Sequence, residues 1–207
     1  MRRRRDGSEV SQKSKAAVAE NYAKIVFASY GASIDSAAKM QTAIDRFLER
    51  PDGKRLEAAQ RAWLSARDDY IVTEPFRFYG GPLDDAEDGP EGLINAWPMD
   101  EAYIDYVAGD TDAGIVNDRG RHPKITQDVI VEANEQGGET NVSSGWHAIE
   151  FLLWGQDRSR TGPGDRQVSD YTSEDNAQRR ATYLRLTTTR LLSDLRGVRA
   201  QWAPGDG

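Results

Sequence analysis

Apolar residues recur at three- and four-residue steps along most of this chain, the periodicity of one helix face turned toward a core. Over about residues 13–50 that face is carried by Val26, Tyr30, Ile34, Ala37, Ile44 and Phe47. Pro51-Asp52-Gly53 then breaks the pattern. A second helix is predicted over about 54–73, with Leu56, Ala59, Trp63, Ala66 and Tyr70 on its buried side. Pro75 lacks a backbone donor and clashes with a preceding helical turn, so this helix ends or kinks there. Short helices are expected at about 100–108 and 124–136, the second with Thr126 as its N-cap. A last helix over about 173–202 carries Leu184, Leu191, Leu195, Val198 and Trp202 at near-heptad spacing. No run of period two and no internal repeat interrupts this pattern. The expected fold class is all-α, a helical bundle over residues 13–203 behind a disordered basic tail at 1–12.

Two stretches fit no helix. Residues 80–99 hold Gly80-Gly81-Pro82, Gly89-Pro90 and Trp97-Pro98 among five acidic residues, with Leu83, Leu93, Ile94 and Trp97 as anchors. They read as a long ordered loop, and such loops inside compact domains are commonly functional. Residues 156–175 read as a second irregular loop, in which Gly162-Pro163-Gly164-Asp165-Arg166 is a turn and not a phosphate-binding loop.

Composition narrows the chemistry. The 207 residues are 38% hydrophobic and 9% aromatic, enough to fill the core of one domain. A formal charge of −7 argues against general affinity for nucleic acid, and the Arg2 to Arg5 run has no interleaved aromatic residue. The absence of cysteine removes disulfides, thiolate zinc sites and cysteine nucleophiles. No run of eighteen apolar residues exists to span a bilayer, and residues 1–15 lack the apolar core of a secretory signal.

The most informative stretch is Gly145-Trp146-His147-Ala148-Ile149-Glu150-Phe151-Leu152-Leu153-Trp154-Gly155. It sets an imidazole and a carboxylate three positions apart in apolar surroundings, and such residues share one helix face about 5–6 Å apart. Two readings fit: a shared cation, or a His–Glu hydrogen bond that only fixes the packing of a buried helix. With two histidines in the chain, a three-histidine zinc site is excluded, and the paired histidines of a zincin helix are missing. One imidazole with several carboxylates suits harder or borderline ions, iron and calcium among them, with zinc still open. Trp63, Arg67, Tyr70 and Glu74 form one stripe. Glu74 sits at a helix end, while ordinary ion pairing accounts for Arg67. Asp84, Asp100, Glu101 and Asp105 offer further oxygens if the fold brings them to His147 and Glu150. Ser143 and Ser144 precede His147 without the context of a serine nucleophile.

The motif, extended to Gln156-Asp157, resembles the Gly-x-His-x-x-Glu signature of the imelysin family. Ala62-Trp63, Ala66-Arg67 with Tyr70, Glu74 with Phe76-Arg77-Phe78, Gly81-Pro82-Leu83-Asp84, Asn95 to Asp100 and Gly162 to Arg166 are similar as well, so the likeness spans roughly residues 15–200. That family includes iron-regulated envelope proteins, a periplasmic iron-uptake component and a peptidase described as insulin-cleaving. The resemblance implies an all-helical fold, the first of the family's two bundles, with His147 and Glu150 as metal ligands and Glu74 and Asp84 as further ones. It implies a periplasmic or envelope protein that binds a metal ion, iron first and zinc or calcium as alternatives, and works with iron-transport components. A metallopeptidase and a non-catalytic partner-binding bundle are the alternatives. A single bundle leaves the usual cleft open, which self-association would close.

Overall fold

The computed structural model describes residues 7–205, with side chains from Gln12 onward, so Arg2 to Arg5 lie outside the described residues. Seven α-helices succeed one another within that span: α1 (Gly7–Glu49), α2 (Gly53–Ile71), α3 (Glu91–Ile94), α4 (Gly114–Asn117), α5 (Gln127–Ala133), α6 (Gly145–Trp154) and α7 (Ala177–Gln201). No strand occurs among the described residues, and the chain is all-α as its periodicity predicts. Of the tail expected over 1–12, the first six residues are undescribed and Gly7 already opens α1. Residues 12–22 are all exposed, so no apolar stripe announces where this helix starts.

The long helices form because their apolar stripes bury against one another. Val26, Tyr30, Ala37, Met40, Ile44 and Phe47 of α1 meet Leu56, Ala59, Trp63, Ala66 and Tyr70 of α2, and α1 also packs along α7. Asp52 caps α2 by accepting from Arg55 N at 2.8 Å, and Thr126 Oγ1 caps α5 by accepting from Val129 N at 3.2 Å. The short α6 lies between α2 and α7 and is apolar almost all round, as a helix enclosed by its neighbours must be.

The helix expected at 100–108 is a single 3₁₀ turn, Glu101–Tyr103. Asp100 Oδ1 caps that turn at Ala102 N, and two residues later Asp105 points inward, completely buried. Its carboxylate takes Arg180 at both oxygens (2.9 Å from Nη2 to Oδ1), Arg166 Nη1 at 3.3 Å and Asn117 Nδ2 at 3.1 Å. Arg166 Nη1 also reaches Asp170 Oδ2 at 3.2 Å, and Tyr106 OH donates to the same oxygen at 2.7 Å. Helical propensity over 100–108 yields to this buried ion cluster. α7 likewise starts later than expected, because Asn176 before it is left-handed at φ 65°.

Candidate metal centre

Three side chains, two of them from α2, hold main-chain carbonyls of α6. Trp63 Nε1 donates to Trp146 O at 3.1 Å, Gln60 Nε2 to Leu153 O at 2.9 Å and Tyr171 OH to Leu152 O at 2.7 Å. Gly145 explains the first residue of the motif. It has φ +81°, and a Cβ there would lie 2.4 Å from the Ile94 carbonyl oxygen at the end of α3. Gly145→Ala should therefore cost about 2 kcal/mol, read as a lower midpoint in urea unfolding. At the other end, Arg166 N donates to Trp154 O at 2.9 Å, and a Cβ on Gly164 would lie 2.4 Å from that same oxygen. The glycine-rich turn is a strap fastened over the helix terminus.

On this fixed helix His147 Nδ1 lies 3.2 Å from Glu150 Oε2. The Trp97 ring sits 4.8 Å from the imidazole, centroid to centroid, tilted by 50°. The pair is not sealed in hydrocarbon: the His147 side chain is 16% exposed and that of Glu150 44%. Both line a cavity of about 480 Å³ whose walls include Trp63, Trp97 and Trp154, with Glu101 and Asp157 as two further carboxylates. A carboxylate only accepts hydrogen bonds, so without a cation a neutral His147 facing Glu150 carries its proton on Nδ1; a cation shared by the two would take the Nδ1 lone pair, with the proton on Nε2.

Glu74 and Asp84 fall in a different group. Glu74, in a 3₁₀ turn just past α2, pairs with Arg77 Nη1 at 3.2 Å and accepts from Asn95 Nδ2 at 3.3 Å. Asp84 Oδ2 accepts from Phe78 N, while its Oδ1 is buried without a partner among the described residues. Arg77 also holds Glu91 at 2.9 Å, and burial pushes the Glu91 carboxyl above its usual range. Of the four predicted ligands, His147 and Glu150 are in direct contact, while Glu74 and Asp84 are held by other partners. Arg67 feels both Glu74 and Glu150, and burial lowers its pKa. Arg67 makes no ion pair among the described residues, contrary to expectation. It lies over Tyr70 and Trp146, 5.1 and 5.8 Å from their centroids, with Nη1 buried and unpartnered. Among the described residues no three His, Asp or Glu side chains converge closely enough to hold a metal. The donor set fits a cation at two points, His147 and Glu150.

Other acidic residues of the sequence reading separate cleanly. Asp105 is consumed by the arginine cluster, and Asp100 is a turn cap. Glu101 does reach the His147 cavity. Burial raises its carboxyl above the ordinary value, the Asp157 charge adds to this, and a hydrogen bond from Gln156 opposes it. Asp157 ends the extended motif, and it lies on the cavity wall with Glu101. Ser143 Oγ donates to Ile130 O at 2.6 Å, a packing tie with no catalytic geometry.

A family model described as imelysin matches residues 26–207 of the chain. The chain is also similar to a protein named Iron-regulated protein A from Synechococcus elongatus, at 35% identity over 131 residues. That alignment covers 63% of this chain and 29% of the relative, so the chain matches under a third of that protein's length.

Proposed function

Because this chain belongs to the imelysin family, we propose that it is a metal-binding protein of the bacterial cell envelope that serves iron uptake or homeostasis. The observation that carries the reading is the His147–Glu150 pair, 3.2 Å apart on the wall of an open cavity with two more carboxylates. Imidazole and carboxylate together suit iron, with zinc or calcium as alternatives. Further oxygens come from Glu74 and Asp84, whose approach requires Glu74 to leave Arg77. Asp84 Oδ1 has no partner among the described residues to leave. The name of the cyanobacterial relative supports iron as the ion. Among the described residues no helix is long and apolar enough to cross a membrane.

Calorimetric titration of Fe(III), Zn(II) and Ca(II) into the chain tests this. Saturable binding should weaken roughly 10- to 100-fold in Glu150→Gln, the range seen when a metal ligand or its orienting group is changed. Equal binding by wild type and variant would overturn the assignment. The metallopeptidase alternative has one observation in its favour: Glu101, with its raised pKa, stands in the cavity as a carboxyl able to move protons. Metal-dependent cleavage of an unfolded polypeptide that stops in His147→Ala would make that reading the better one. Self-association would close the open side of the cavity, where Leu64 and Trp97 are 53% and 68% exposed. It should appear in light scattering as a dimer that Trp97→Ala dissociates.

A further inference from the structure

The cavity is much larger than a bare ion needs. At about 480 Å³ it falls within the range of small-molecule sites, and its lining has a distinct chemistry. Three indoles, Trp63, Trp97 and Trp154, share the walls with Glu101, Glu150 and Asp157. Among the described residues no Lys or Arg makes an ion pair with any of these three carboxylates. Arg166, whose charge lowers the Glu101 pKa, gives its Nη1 and Nη2 to Asp105, Asp170 and the Phe151 carbonyl. Glu101 and Glu150 are half-buried, and such carboxylates without a Lys or Arg counter-ion are costly, a cost Glu101 shows as a raised pKa. Asp157 is exposed at the rim and accepts from Ser159 N at 3.0 Å. Indole faces attract cations, most strongly where water is partly excluded. An anionic ligand satisfies neither feature, and a neutral sugar could stack on the indoles but would leave the carboxylate charge unmet.

We propose that this cavity binds a small organic ammonium cation, its charge met by Glu101 and Asp157 at one end and its carbon chain laid against the indoles. The carboxylates fall into two groups, Glu101 with Asp157 and Glu150 with His147. A diamine, with an ammonium at each end, therefore matches the cavity better than a monocation. This binding goes beyond the metal role and does not require it.

The test is calorimetric titration of the full chain with 1,4-diaminobutane in chelator-treated buffer, alongside 1,4-butanediol as an uncharged isostere and tetramethylammonium as a monocation without N–H donors. Saturable diamine binding is expected, with no heat from the diol. Glu101→Gln and Asp157→Asn should each weaken it about tenfold, and Trp97→Ala by a similar factor. Circular dichroism confirms that each variant is folded. Two results overturn the proposal: no saturable diamine binding to folded wild type, or binding that all three substitutions leave unchanged. Tetramethylammonium binding as tightly as the diamine, and indifferent to Glu101→Gln, also overturns it, since the carboxylates would then play no part. Because the chelator removes metal, failure of metal binding cannot produce or hide any of these outcomes.

Discussion

Replacing Asp105 with alanine is expected to cost about 3–5 kcal/mol of folding stability, the range for removing one partner of a buried ion pair. Asp105 is completely buried, and its two oxygens answer Arg166 and Arg180, which are almost as inaccessible. Without it, two guanidinium groups remain in the interior with the Asp170 carboxylate as their nearest counter-charge. Arg180 belongs to α7, Arg166 to the strap over α6, and Asp105 to the segment after the Glu101 turn. The loss therefore loosens three parts of the chain at once, including the wall that carries Glu101. At the usual 2–4 °C per kcal/mol for a domain of this size, the melting temperature should fall roughly 6–20 °C. Differential scanning calorimetry reads this directly. A fall of under about 3 °C would mean that the two arginines find water or other acceptors, and that the cluster does not organise the fold.

His147→Ala is expected to remove the metal response almost entirely while leaving the fold intact. The imidazole is partly exposed and its one polar partner is Glu150, so its removal leaves no buried charge stranded. At a metal concentration 100 times the dissociation constant, wild type gains about 2.7 kcal/mol, a rise of roughly 5–10 °C. If affinity falls about 100-fold, the same concentration gives the variant only about 0.4 kcal/mol. A thermal melt with and without metal separates these cases. A metal-induced rise of equal size in both proteins would place the cation elsewhere, and no rise in either would return His147 and Glu150 to the packing role.

The long helices were legible because burial dictates periodicity. Leu56, Ala59, Trp63, Ala66 and Tyr70 repeat at the pitch of a helix and all five are buried. The motif pair was legible for the same reason, since three residues along a helix leave few options for where two side chains can meet. What sequence could not show is polar groups that face inward. Asp105 reads as one more possible oxygen for the His147–Glu150 pair and Arg166 as part of a turn, yet both are buried with Arg180, where a helix is predicted and a turn is found. Nor could spacing show that Glu74 prefers Arg77, or that Trp97 lies against His147. Those facts depend on where residues 80–99 run, and that path is set by close contacts such as Gly145 against Ile94. Asp157 was within the quoted motif, yet spacing alone does not place it beside Glu101.

The central claim is that His147 and Glu150 hold one cation together. X-ray absorption at the iron edge, on the full chain loaded with Fe(III), tests it most directly. One imidazole nitrogen should appear among oxygen neighbours, and its multiple-scattering pattern should vanish in His147→Ala. A shell made of oxygens alone in the wild type, or one unchanged by the substitution, would contradict the account.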